Sequence, residues 1–142
     1  LSASTYVVVG KLTANQSITA SADRTLQFVD YVDPQNWWDG TTYKFTPTVA
    51  GYYQINGGMN MYSLGNGETL IGIWKNGIEY ARGTDTNNLV VYSYVVSTLV
   101  YFNGSTDYVE LYAYTNSGNS AQVVQYGSYT MLQGMFVRSN VT

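Results

Sequence analysis

A chain of 142 residues with net charge -3 has room for one domain around one core, and it carries no basic run that could track a phosphate backbone. Neither histidine nor cysteine occurs, which removes disulfides, thiol and Ser-His-Asp catalysis, His-based proton transfer and the usual zinc sites. Only 11% of residues are charged while tyrosine fills 15 positions, so the surface is either coated by Tyr, Thr, Ser, Asn and Gly or partly covered by other subunits.

Period-two alternation runs through most of residues 1–142, with no sustained helical spacing and no apolar span of membrane-crossing length. The chain therefore reads as a single all-β domain. Tyr6 to Val9 and Leu26 to Val29 are the first expected strands. From Gly51 onward, Tyr53, Ile55, Gly57, Met59 and Met61 share one face, and Tyr52, Gln54, Asn56, Gly58, Asn60 and Tyr62 share a more polar one. Leu64-Gly65-Asn66-Gly67 breaks this strand, and Thr69, Ile71 and Ile73 then alternate with Leu70, Gly72 and Trp74. Asn76-Gly77 accepts positive φ at both central positions of a tight turn, which makes Trp74-Lys75 and Ile78-Glu79 the arms of a hairpin.

Thr84 to Asn88 reads as a polar loop, and Leu89 to Phe102 as a strand with large side chains on both faces. A second turn, Asn103-Gly104, leads into Tyr108 to Tyr114, where Val109, Leu111 and Ala113 face away from Glu110, Tyr112 and Tyr114. Asn116 to Ser120 makes the next loop, and Ala121 to Tyr126 and Tyr129 to Val137 are the closing strands. Eight to ten strands in one domain suit a two-sheet jelly roll. Each sheet of a sandwich buries only its inner face, so an outer face lined by apolar or tyrosine side chains needs another cover, most simply a second copy.

Asp33, Trp38, Phe45, Gly51, Tyr53 and the apolar Ile55 follow one another at a spacing that resembles the signature of the C1q globular-head family. Lys75-Asn76-Gly77 resembles that family's hairpin turn, Leu99 to Leu111 its strand, glycine turn and strand, and Leu132-Gln133-Gly134-Met135-Phe136 its closing strand. The resemblance covers most of the chain beyond residue 25. It implies a ten-stranded antiparallel jelly-roll sandwich of C1q/TNF type, a homotrimer with one sheet of each subunit near the three-fold axis, and recognition through exposed loops. It also implies a fibrous stalk preceding the domain; fibre-tip domains of bacteriophages use similar jelly rolls. The Cys-free, Tyr/Asn/Gly-rich composition suits a viral or bacterial fibre tip better than a complement-like domain.

On the strands that the resemblance assigns to the inner sheet, Tyr53, Tyr94, Tyr112, Tyr114, Leu132 and Phe136 are the candidates for the trimer interface, with ordinary core packing as the alternative for each. Trp37 beside Asp39-Gly40 is a candidate sugar-stacking platform, whereas Trp38 falls on the family's structural aromatic and is expected in the core. The three loops contribute Asn66, Glu68, Asp85, Asn87, Asn116 and Asn119 as candidate ligand contacts, since loops on a rigid β scaffold vary without harming the fold. No cofactor is expected; calcium is compatible with loop carboxylates, but no D-x-D-x-D motif supports it. These readings converge on a non-enzymatic trimeric receptor-binding or adhesion domain on an extracellular or virion surface, recognising a cell-surface glycan or protein. The alternatives are a structural cap that registers a trimeric stalk without a receptor, and a glycan hydrolase built on two carboxylates.

Overall fold

The computed structural model describes residues 6–18, 21–62, 67–87, 93–116, 122–125, 127 and 130–139. Among these the strands are β1 (Val7–Lys11), β2 (Gln16–Ile18), β3 (Arg24–Thr25), β4 (Val29–Val32), β5 (Trp38–Asp39), β6 (Lys44–Phe45), β7 (Gly51–Tyr62), β8 (Thr69–Lys75), β9 (Ile78–Thr86), β10 (Ser93–Phe102), β11 (Val109–Thr115), β12 (Gln122–Gln125) and β13 (Met131–Arg138). No helix occurs among the described residues, and none is therefore long and apolar enough to cross a membrane.

All pairings are antiparallel and build two sheets. The first runs β2-β12-β7-β13-β1-β4, with β10 along the other edge of β7; the second runs β5-β6-β11-β8-β9, with β3 on β11. β7 is the spine of the first sheet. Its alternation places Tyr53, Ile55, Met59 and Met61 in the core, as its apolar face requires, and leaves Gln54, Asn56 and Asn60 outward. On β11, Val109, Leu111 and Ala113 point into the same core, which closes between the sheets around Ile71, Ile73, Val96, Val100 and Leu132. One end of the core is aromatic. Tyr53 lies 5.2 Å from Phe102, 5.3 Å from Phe136 and 5.9 Å from Phe45, all edge to face, and its hydroxyl donates to Val49 O at 2.9 Å. Such ring pairs add about 0.5–1.5 kcal/mol beyond burial alone.

The sequence signature is a packing signature. Asp33 accepts from the backbone N–H of both Trp37 (3.0 Å) and Trp38 (2.8 Å), and the Trp38 indole donates to Phe28 O at 3.1 Å. Gly51 is required by close approach: a Cβ there would meet Arg138 O at 2.5 Å and the Phe136 ring at 2.7 Å. The hairpin turn is as expected, with Asn76 at φ 54° and Gly77 at φ 81°, and Lys75 paired with Ile78. Asn103 Oδ1 accepts three backbone N–H groups, from Ser105, Thr106 and Asp107, which accounts for its place in the second turn.

Two expectations change. Leu26 to Val29 is not one strand: β3 pairs with β11 in one sheet and β4 with β1 in the other, so Leu26 to Phe28 is the crossing between sheets, with Leu26 and Phe28 both fully buried. Thr84 to Thr86 is not loop but the end of β9, in register with Thr69 and Leu70. Its polar side chains are there because β9 lies at a sheet edge. Thr84 Oγ1 bonds the Val95 backbone, and Tyr80 Oη donates to Leu99 O at 3.1 Å, so the free edges of β9 and β10 meet across the sandwich.

Candidate functional site

Strand register gathers the described flanks of the expected recognition loops at one end of their sheet. Thr69 pairs with Thr115 on one side and Thr86 on the other, which brings the end of β9, the start of β8 and the end of β11 side by side. Glu68 and Asn116, both expected ligand contacts, are joined here: Glu68 N donates to Asn116 Oδ1 at 2.6 Å, and Asn116 N to Glu68 O at 2.9 Å. Asn87 is exposed at the same end, and Asp85 is exposed and hydrogen-bonded to Arg82 at 3.1 Å. Asn66 and Asn119 lie outside the described residues.

Below this end, on the outer face of the second sheet, lies an open cavity of about 260 Å³. Its floor depends on Gly72, where an added Cβ would lie 2.5 Å from the Tyr112 ring. The missing side chain lets Tyr112 lie flat across β8, stacked on Trp74 with ring centroids 4.5 Å apart, and reach β9, where its hydroxyl donates to Glu79. The Arg82 guanidinium then links three carboxylates: Glu79 at 3.0 Å, Asp85 at 3.1 Å and Glu68 at 3.8 Å. Because these groups are a third to a half exposed, the pairs order the site more than they stabilise the fold. Tyr114 and Leu70, cross-strand partners, and Asp23 complete the lining.

The electrostatics follow from these contacts. The hydrogen bond from Tyr112, then the Arg82 guanidinium, holds the Glu79 carboxyl below its ordinary range, while burial and the neighbouring Glu79 push the Tyr112 phenol upward. Glu79 is thus shifted in the direction opposite to that of a general acid. Among the described residues no group of three His, Cys, Asp or Glu side chains is placed to hold a metal ion.

The proposed interface residues fall into three environments. Tyr53, Tyr94 and Leu132 are fully buried in the core of a single copy, so they have no surface to offer a neighbour; alternation makes the outward face belong instead to Val95, Leu99 and Met135. Phe136 is half-buried against Tyr53 and Tyr6, at 5.3 and 5.6 Å. Tyr112 and Tyr114 belong to the second sheet and line the cavity. Trp37 is a correction: it is 5% exposed, stacked on Tyr6 at 5.5 Å, with its indole N–H on Thr48 at 2.9 Å, and offers no open face to a sugar. Arg82 and Glu79 were not singled out in the sequence. Their signal was the pairing of β8 with β9, which places Arg82 opposite Gly72 and Glu79 opposite Trp74.

No protein-family model and no curated protein matches the sequence. Solved structures do match its fold. The globular domain of the zebrafish complement 1qA protein superposes with a TM-score of 0.68 at 14% identity, covering 96% of this chain and 99% of that one. The Eiger TNF of S. frugiperda gives 0.66 at 7% identity, covering 96% and 95%. The PRD1 vertex protein P5 gives 0.66 at 12% identity, covering 94% and 98%. The chain therefore has the C1q/TNF-like jelly-roll fold that its signature spacing implied.

Proposed function

We propose that this C1q/TNF-like jelly roll is a non-catalytic binding domain that works as a homotrimer at the tip of an extracellular or virion fibre and recognises a surface glycan or protein. One observation supports the trimer above the others. Among the described residues, the large hydrophobic side chains left strongly exposed all lie on the first sheet or on the adjoining edge of the second: Val29, Tyr31 and Val32 on β4, Val95 and Leu99 on β10, Met135 and Val137 on β13, and Ile78 and Tyr80 on β9. The outer face of the second sheet instead carries Glu79, Arg82 and Glu110. A face on which exposed apolar side chains flank a patch of uncharged polar ones is the kind of surface a second and third copy cover, and the charged face is the one left to solvent and ligand.

The register shows how such a face is organised. Reading across strands, Leu99, Gln54, Met135 and Val7 form one row, and Ser97, Asn56, Gln133 and Val9 the next. Gln54, Asn56 and Ser97 are hydrogen-bonded to one another at 2.7–3.0 Å, so their polar atoms are largely satisfied before any partner arrives. Light scattering at micromolar protein should give about three times the 15.7 kDa chain mass, and Val95→Lys with Leu99→Lys should reduce it to one chain without loss of β-sheet circular dichroism. A wild-type monomer would overturn the trimer. Labelled trimer applied to a panel of cell surfaces separates receptor binding from a structural cap, which would assemble and attach to nothing.

A further inference from the structure

We infer that the cavity on the second sheet is a saccharide subsite that takes one neutral pyranose ring; this deepens the reading of the domain as a binder and rests on it. The space of about 260 Å³ equals roughly nine waters at ~30 Å³ each, close to the dozen non-hydrogen atoms of a hexose. Its lining has the two elements a pyranose needs. Tyr114, half-buried on the strand that also carries Tyr112, is the lining side chain that the apolar C–H face of the sugar would meet. Glu79, Glu68 and Asp23 supply acceptors for ring hydroxyls, and a carboxylate fixed in place accepts from two adjacent hydroxyls at once. The site is organised in advance: Arg82 ties Glu79, Glu68 and Asp85, and Tyr112 is held between Trp74 and Glu79.

Other ligand classes fit less well. A sialate, sulfate or phosphate meets three carboxylates and one guanidinium, and that guanidinium is already committed to acids. An ammonium group finds the place between those acids taken by Arg82 itself. A divalent cation lacks a three-ligand cluster among the described residues. The pocket opens on the outer face of the second sheet, whereas most of the exposed apolar side chains assigned to subunit contact sit on β4, β10 and β13 of the first sheet; contact through those strands leaves it open.

The test uses the assembled wild-type chain and saturation-transfer NMR with the methyl glycosides of glucose, galactose and mannose, beside methyl glucosaminide and the methyl glycoside of N-acetylneuraminic acid. At least one neutral glycoside should bind with a Kd of about 1 mM, receiving saturation through one face of the ring. Tyr114→Ala should weaken it about tenfold or more, and Glu68→Gln and Asp23→Asn, both at the periphery, should weaken it with mass and circular dichroism unchanged. Binding of none of the neutral glycosides, binding of only the amine or the sialoside, equal binding by wild type and all three variants, or release of reducing sugar would each overturn the assignment. Attachment of the trimer to cell surfaces without glycoside binding sinks the subsite alone; a trimer that attaches to no surface sinks the binder reading itself.

Discussion

At the scale of single residues, the signature pattern is explained by unsatisfied groups and missing atoms. Asp33 occupies two backbone donors that lead into β5, so Asp33→Ala strands the N–H of Trp37 and Trp38 at the edge of the core and should cost about 1–3 kcal/mol in urea unfolding. Asp33→Asn keeps one acceptor oxygen and should cost less. Gly72 plays a comparable part on the outer face. Gly72→Ala drives a methyl into the Tyr112 ring and should cost about 1–3 kcal/mol, with a change in the near-ultraviolet circular dichroism of the Trp74–Tyr112 stack. Trp38 was legible as core because its spacing matched a known packing position. Trp37 was not, because it lies between Asn36, at φ 57°, and the start of a two-residue strand at Trp38, and there alternation no longer decides which neighbour turns inward.

At the scale of elements, the long strands were legible because they are long. On β7 and β11 the apolar faces read from the sequence are buried, although Tyr112 on the other side of β11 is buried as well and β8 is buried on both faces from Thr69 to Ile73. The cavity was not legible. Its residues come from the turn before β3 and from β8, β9 and β11 with their flanks, and only cross-strand register brings them together. The hairpin offers a local test. Asn76 and Gly77 hold the positive φ values of the turn, and Asn76 also accepts from Tyr108 N at 3.0 Å and donates to Asp107 at 2.9 Å, fastening the β8–β9 hairpin to the β10–β11 connection. Gly77→Ala has room for its methyl, 3.6 Å from Tyr108 Oη, so its penalty is backbone strain of about 1–2 kcal/mol. Asn76→Asp keeps a residue suited to the turn but sets a carboxylate against Asp107. It should be less stable than the wild type at neutral pH, and the difference should shrink as the pH falls and one of the two carboxylates takes up a proton, a narrowing Gly77→Ala lacks.

At the scale of the whole molecule, the absence of histidine and cysteine makes a prediction about pH. Three carboxyls, Asp39, Glu79 and Asp107, are held below their ordinary values of 3.8, 4.5 and 3.8, chiefly by hydrogen bonds from Thr42, Tyr112 and Asn76 respectively. A depressed folded value means the unfolded chain takes up protons first, so this contribution is complete above about pH 4.5 and lost as the pH falls through the folded values. Two phenols, Tyr53 and Tyr112, are raised above 10.0, chiefly by burial. A raised folded value works in the opposite sense: the contribution is complete below pH 10.0 and lost as the pH climbs through the folded values. No His or Cys titrates between these limits. At fixed protein concentration, which holds any assembly constant, the thermal midpoint should be flat from about pH 5.5 to about pH 9 and fall on both sides. Tyr112→Phe removes one phenol and the donor to Glu79, so it should make the alkaline fall shallower and weaken the acid one. A step in the midpoint near pH 6.5 would contradict this account, because no side chain of the sequence has its ordinary value there.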